Sequence, residues 1–327
     1  MAGEYHFDTD NEVSGNVIAV SVGFFIKREP DDTVKSLTVC GARVEKISYI
    51  CPKPKLNIAM KNIIWVAVAL LAVACGGNKQ KQIVLMDETA FATEMGGAKV
   101  GLYTLRCGDL VMQVTNYGAR VVSLWTPDRE GNYADIEIGY ENIDRYIDNT
   151  GERFLGAAVG PYANRIAGGR FVLDGREYTL PQNNNGQTLH GGTLGIDRIV
   201  WEVRERKENE IVFHASLPDG QDGFPGNREI DMKYMLTPEN EFVITYAATT
   251  DAPTVMNLSH HSFFNLHGEG NGSILDHELT INASHITPVD SLLIPTGEIR
   301  SVEGTPFDFR TLHTIGERVG EDDEQLR

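Results

Sequence analysis

Two adjacent histidines are the side chains in this sequence best suited to proton transfer. His260 and His261 lie in residues 257–266, which read Asn-Leu-Ser-His-His-Ser-Phe-Phe-Asn-Leu. An imidazole has an unperturbed pKa of about 6.5, so it can give or take a proton near neutral pH. If the segment is extended, consecutive side chains point to opposite faces and the two rings cannot enter the same cleft. We expect one to be catalytic or ligating and the other supportive; the alternative is that both are hydrogen-bonded structural histidines.

Two further segments are polar and rich in glycine. Residues 160–170 place Asn164 and Arg165 among small residues, and the fork of donors on an arginine can hold an oxygen-rich ligand. The alternative for Arg165 is a surface side chain over a turn. Residues 183–192 set His190 in a loop of amides, hydroxyls and glycines, a composition typical of loops that line sites. By itself this lone histidine favours a structural role.

A metal or phosphate site is not expected from the motifs. His260, His261 and His267 lack the i, i+4 helical spacing of a metalloprotease helix. The sequence also lacks a Gly-x-Ser-x-Gly elbow and a phosphate-binding Gly-x4-Gly-Lys-Ser/Thr run. The cysteines are too scattered for a disulfide framework or a paired zinc site, and they are Cys40, Cys51, Cys75 and Cys107.

Composition and charge narrow the class of protein. The 327 residues are 41% hydrophobic, enough for a packed core, and include 33 glycines. The formal net charge of −17 argues against a nucleic-acid partner, because a phosphate backbone requires a basic surface. The sequence therefore predicts an acidic globular protein.

The pattern from about residue 84 onward predicts an antiparallel β-sandwich or barrel. Residues 110–114 and 120–125 flank an Asn-Tyr-Gly turn, and residues 211–217, 229–236 and 241–249 form three short extended runs. In the second run an apolar residue occupies every other position, as expected for a strand with one buried face. These apolar residues are Ile230, Met232, Tyr234 and Leu236. Alternation of this kind indicates sheets packed face to face.

The first 83 residues divide into three parts. Residues 1–59 show no persistent period and are predicted to be a non-native upstream extension. Residues 60–75 have the basic start, apolar core and small residues of a signal peptide and resemble a bacterial lipoprotein signal with lipidation at Cys75. A tether over 76–83 would lead to the domain at 84–327. We expect a membrane-anchored protein of the bacterial cell envelope; the alternative is a buried internal helix, and a cytoplasmic protein, if the signal is not used.

Five segments together resemble the aldose 1-epimerase (galactose mutarotase) family. They are residues 160–175, Leu-His-Gly-Gly at 189–192, Asp-Gly-Phe-Pro-Gly at 222–226, residues 257–266 and Ile-Pro-Thr-Gly-Glu at 294–298. Their order and spacing match the family over roughly residues 111–310. The resemblance implies an all-β fold, a large antiparallel sandwich, with no metal or organic cofactor and with an aldohexose as the small-molecule partner.

The family's chemistry implies roles for four residues of this chain. Interconverting α and β anomers requires one group to protonate the ring oxygen while another removes the anomeric hydroxyl proton. By resemblance His261 is the general acid, His190 binds the sugar and polarises the ring oxygen, and Asn164 and Arg165 bind hydroxyls. His260 stands where the family often has asparagine, and Phe263 replaces a frequent tyrosine.

The resemblance also predicts that the sandwich is incomplete at the C-terminus. Family members continue into a segment with a sugar-binding aspartate and a later glutamate that is the general base, and neither is present before Arg327. General base assistance is typically worth about 10²–10⁴-fold, so the printed chain is expected to be impaired or inactive. Two other functions stay open: a non-catalytic carbohydrate-binding sandwich, and an epimerase acting on a sugar phosphate.

Overall fold

The computed structural model describes residues 18–27, 36–40, 83–148 and 151–326. Within the predicted upstream extension it describes two strands. The signal segment 60–75, the predicted lipidation site Cys75 and the tether up to residue 82 lie outside the described residues. None of the helices in the described ranges is long and apolar enough to cross a membrane.

The described residues form mainly short and medium strands. The helical elements are one α-helix, Ile143–Ile147, and 3-10 turns at Glu88–Phe91, Ala167–Gly169, Ile196–Arg198, Gln221–Gly223, Ile315–Glu317 and Glu324–Leu326. The strands in chain order are β1 (Ile18–Lys27), β2 (Ser36–Cys40), β3 (Thr93–Met95), β4 (Ala98–Val100), β5 (Leu102–Cys107), β6 (Leu110–Thr115), β7 (Arg120–Pro127), β8 (Tyr133–Asp135), β9 (Ala158–Val159), β10 (Arg165–Ile166), β11 (Arg170–Leu173), β12 (Arg176–Thr179), β13 (Thr188–Leu189), β14 (Glu202–Arg206), β15 (Glu210–Leu217), β16 (Arg228–Leu236), β17 (Glu241–Thr250), β18 (Ser259–His260), β19 (Glu278–Leu279), β20 (His285–Ile286), β21 (Arg300–Ser301) and β22 (His313–Thr314).

Two antiparallel sheets pack on each other around one large core. The first has the order β14-β15-β16-β17-β1-β2 and the second the order β5-β6-β7-β8. Apolar side chains from β5, β6 and β7 join those from β15, β16 and β17 in the same buried cluster. The hydroxyl of Tyr234 crosses between the layers and donates to the carbonyl of Ala119 at 2.6 Å. The predicted all-β sandwich with antiparallel sheets is therefore confirmed.

The positions of the longer strands predicted from the sequence agree closely with those in the structure. The three extended runs correspond to β15, β16 and β17, and the predicted hairpin is the β6–β7 pair. In β16 the four alternating apolar residues are all fully buried, whereas the residues between them are partly exposed. One face of this strand thus forms the core, as the alternation predicts.

Two small strand pairs beside the sandwich hold the polar segments of interest. The β9–β18 pair aligns Ser259 with Val159 and His260 with Ala158. The β10–β13 pair aligns Arg165 with Leu189. Because β9 and β10 are connected by only a few residues, the three segments singled out in the sequence meet in one region.

Candidate active site

The segment that carries the two histidines changes hydrogen-bond partners along its length. Its first half follows β9: the His261 N–H donates to the Ala157 carbonyl at 2.9 Å, and the Gly156 N–H donates to the His261 carbonyl at 3.1 Å. Its second half is hydrogen-bonded to the residues that follow β8: the Ile138 N–H donates to the Phe263 carbonyl at 2.8 Å. The backbone of His261 is thus hydrogen-bonded to residues 156 and 157. The segment changes its hydrogen-bond partner immediately after His261.

The two histidines face opposite sides of this segment. The His260 ring packs against the core rings of Tyr234 and Phe242, with centroids 5.5 and 6.1 Å away. The His261 ring lies on the other side, 5.2 Å from the His190 ring and 5.6 Å from Phe154. The expectation that the two rings point to opposite sides of the segment is confirmed, and His261 is the one beside His190.

Burial keeps His260 uncharged. The Nε2 atom of His260 is inaccessible to solvent and has no hydrogen-bond partner among the described residues. Burial, and then the nearby His261 and Arg120, lower the pKa of His260 to about 3. A neutral imidazole is a very weak acid and this one is buried in the core, so His260 is unsuited to general acid catalysis and its role is structural.

Asn164 and His190 are joined by a reciprocal pair of hydrogen bonds. The Asn164 N–H donates to Nδ1 of His190 at 2.9 Å, and the His190 N–H donates to the Asn164 carbonyl at 3.0 Å. Both residues have positive φ, 60° and 52°. The next residue, Gly191, has φ 88°, and a Cβ there would overlap the carbonyl of Gly160, so only glycine permits this close approach.

These contacts fix the protonation of His190. Burial, and then the positive potentials of His261, Arg165 and Arg153, lower the pKa of His190 to about 4. Near neutral pH the ring is uncharged and carries one proton. Because Nδ1 accepts from Asn164, that proton is on Nε2, at the opposite edge of the ring. His190 is therefore a fixed neutral hydrogen-bond donor.

Arg165 is held in place by two amide side chains. Its Nε and Nη2 atoms donate to Oδ1 of Asn184 at 3.3 and 3.1 Å, and its Nη1 donates to Oδ1 of Asn164 at 3.2 Å. The side chain is partly exposed. A guanidinium held in this way is suited to bind hydroxyl oxygens of a ligand beside His190. The four predicted site residues His261, His190, Asn164 and Arg165 thus lie together.

The sequence did not single out Phe154 or the buried charges beneath it. The Phe154 ring contacts both site histidines, and Arg153 donates from Nε and Nη2 to Asp197 at 2.8 and 3.0 Å. Arg120 lies within 3.8 Å of the same carboxylate and donates to the carbonyls of Arg153 and Leu155. Removing one partner from such a buried pair typically costs about 3–5 kcal/mol, so this network fixes Phe154 firmly. No local motif marks it, because its members are up to 77 positions apart.

One group of side chains in the described residues comes close enough to hold a metal ion. The ligand atoms of His267, Asp276 and His277 lie within 4.8 Å of one another. However, Nε2 of His277 accepts the Leu266 N–H at 2.8 Å, so the ring carries its proton on Nδ1, the atom facing Asp276. A protonated nitrogen cannot ligate a metal. The arrangement fits a hydrogen-bonded cluster that anchors the end of the 257–266 segment.

Comparison with known proteins gives a consistent result. Residues 101–326 match the family model described as aldose 1-epimerase. The chain is 39% identical over 227 residues to galactose mutarotase of Bos taurus, covering 69% of this chain and 65% of that protein. It is 36% identical over 244 residues to aldose 1-epimerase of Escherichia coli K12, covering 74% and 69%. The chain thus spans slightly less than two thirds of the length of the bovine relative.

Solved structures show the same fold. A GalM/aldose epimerase homologue from C. elegans matches with a TM-score of 0.64 and 32% identity, covering 69% of this chain and 68% of that one. Galactose 1-epimerase from Lactobacillus acidophilus matches with a TM-score of 0.63 and 28% identity, covering 72% and 68%.

Proposed function

Because this chain belongs to the aldose 1-epimerase family, we propose that it interconverts the α and β anomers of aldohexoses such as galactose and glucose. The observation that carries the proposal is the pairing of His261 with a neutral, fixed donor, His190, at 5.2 Å between ring centroids. One imidazole that can release a proton and one that can only donate a hydrogen bond suit a reaction at a single ring oxygen.

The proposed reaction moves two protons and opens one bond. His261 gives a proton to the ring oxygen while the anomeric hydroxyl loses its proton to a base. The bond between C1 and the ring oxygen breaks, and C1 becomes an aldehyde carbonyl. Rotation about the C1–C2 bond presents the other face of the carbonyl, and the reverse steps close the ring as the opposite anomer. The Nε2–H of His190 donates to the ring oxygen and favours the bond breaking.

The test is the change in optical rotation of freshly dissolved α-galactose. Protein expressed from the native gene should speed the approach to equilibrium in proportion to its concentration. A parallel measurement on the 327-residue chain decides whether these residues include the proton acceptor. No acceleration by the native protein would overturn the proposal. Titration with galactose and with glucose 6-phosphate separates a neutral hexose from a sugar phosphate as the ligand.

Arg165 is proposed to bind the sugar in both ground and transition states. Arg165→Gln is expected to raise KM by about tenfold to 100-fold with little change in kcat, because a hydrogen bond from a charged group contributes about 1.5–3 kcal/mol. Arg170→Gln is the matched control, since Arg170 is exposed and its nearest carboxylate, on Glu177, is 3.8 Å away. A fall in kcat with unchanged KM would contradict a role in uniform binding.

We further propose that a lipid on Cys75 attaches the protein to the bacterial cell envelope. The support is the basic, apolar and small-residue order of residues 60–75. The intact mass of native protein recovered from membranes should correspond to a lipidated chain that starts at Cys75, and Cys75→Ser should move the protein to the soluble fraction. Native protein that retains residues 1–59 would contradict this proposal.

A further inference from the structure

Glu137 is a fully buried carboxyl group directly behind the proposed catalytic segment. Its side chain is 0% exposed, and its Oε2 atom has no hydrogen-bond partner within the described part of the chain. Burial raises the pKa of Glu137 well above its usual range, and the negative potentials of Asp135 and Glu269 add to the effect. A half-satisfied acid in a core is costly, so its presence here calls for a physical reason.

The side chain of Glu137 occupies the junction at which the 257–266 segment changes partners. Its Oε1 atom accepts the Phe263 N–H at 3.4 Å, and its carboxyl group interacts with the nearby Ser262 hydroxyl. The same oxygen would lie 3.3 Å from a Cβ at Gly156, the residue whose N–H holds the His261 carbonyl. Glu137 therefore contacts both residues that follow His261 and faces Gly156.

A chain of polar groups continues from Glu137 beneath the backbone of His261. The Ser262 hydroxyl lies 3.2 Å from Nδ1 of His260, and it also bonds with Glu137. The hydroxyl has one proton, so it donates in one of these bonds and accepts in the other. Glu137, Ser262 and His260 are thus linked on the core side of the segment, while His261 is displayed on the opposite side.

We propose that Glu137 is a positioning residue for His261, which its side chain holds in place through Ser262 and the backbone of Phe263. The inference rests on the proposed function, because it takes His261 as the proton donor. It adds a residue that touches neither the sugar nor the reacting atoms. A displacement of about 1 Å in a catalytic group can cost about 10²-fold in rate, so a support of this kind affects kcat rather than binding.

Two substitutions at Glu137 distinguish the effect of side-chain volume from the effect of hydrogen bonding. Glu137→Gln is uncharged and keeps an oxygen at the position of Oε1 that can accept from the Phe263 N–H and the Ser262 hydroxyl, so it should retain wild-type behaviour. Glu137→Leu has a similar volume but leaves the Phe263 N–H and the Ser262 hydroxyl without this partner. The matched control is Gln113→Leu, which removes a buried polar side chain whose bonds are with Met86 and Ser123. If Glu137→Leu does not fold, Glu137→Met takes its place, because methionine adapts to irregular space.

The experiment measures mutarotation kinetics, site-resolved amide hydrogen exchange at Phe263, and the imidazole NMR signal of His261 for each variant. Glu137→Leu should lower kcat by about tenfold to 100-fold with KM within about threefold of wild type. It should also speed exchange at Phe263 on the order of tenfold and shift the His261 signal. Glu137→Gln should restore all three readouts, and Gln113→Leu should leave them unchanged.

Two results would overturn the proposal. The first is a Glu137→Leu variant in which the amide exchange rate of Phe263 and the imidazole NMR signal of His261 equal those of wild type. The other is the same loss of kcat in Gln113→Leu as in Glu137→Leu, which would indicate general destabilisation. Absence of mutarotation in the wild-type protein expressed from the native gene would instead refute the proposed function, and the exchange and NMR readouts would then decide the positioning role by themselves.

Discussion

Replacing His261 by glutamine is expected to lower kcat for mutarotation by about 10²–10⁴-fold while hexose binding changes by less than about threefold. Glutamine can still form a hydrogen bond with the ring oxygen, but it has no proton to transfer near neutral pH. The ring of His261 lies against Phe154 and Phe263 and beside His190, so the substitution changes a site-facing group rather than the core. Polarimetry and a binding titration on the same samples measure the two quantities.

The control for His261→Gln is the same substitution at an exposed histidine. His285 lies in β20, is exposed, and contacts Ser284. His285→Gln should leave both kcat and binding at wild-type values. A His261→Gln variant that keeps more than about a tenth of wild-type kcat would show that another group protonates the ring oxygen. Equal losses in binding and turnover would favour the carbohydrate-binding alternative, in which His261 only contacts the sugar.

His190→Asn is expected to reduce kcat by about 10²–10³-fold, the usual effect of removing one preorganised donor to a developing charge. Asparagine should preserve the local structure, because its Oδ1 can take the place of Nδ1 as acceptor for the Asn164 N–H. It also tolerates the φ of 52° at this position better than most residues. What it lacks is a donor at the position of Nε2, so the loss reports on that hydrogen bond.

The pH dependence of the same variant tests the protonation state of His190. Because burial lowers the pKa of His190 to about 4, the ring is neutral at pH 5–8 in the folded protein. Protonation, and loss of the neutral donor, is expected only as the pH falls toward 4. The wild-type and His190→Asn profiles of kcat should therefore have the same shape between pH 5 and 8 and differ by a constant factor. A titration step in that range that disappears in the variant would contradict the neutral-donor role.

The sequence predicted which polar segments matter and the class of fold that carries them. Alternation in β16 predicted its buried face, and the period of two along residues 257–266 predicted that His260 and His261 face apart. Such predictions succeed because backbone geometry alone fixes the direction of neighbouring side chains in extended chain. The resemblance to the aldose 1-epimerases grouped His190, Asn164 and Arg165 with His261.

Only the tertiary structure decided which ionisable side chains are buried, because the residues that bury them are far away in the sequence. The Asp-Ile-Glu-Ile run at 135–138 alternates like a strand with a polar, exposed face, yet Asp135 and Glu137 are buried and Ile138 is partly exposed. Both faces are buried, because Ile136 packs in the main core while the 257–266 segment, 126 positions away, lies against Glu137. Likewise Phe154 reaches the two histidines because Arg120, Arg153 and Asp197 meet beneath it. The sequence therefore determined the side chains that can react, and long-range packing determined what holds them, since contacts between distant residues leave no local period.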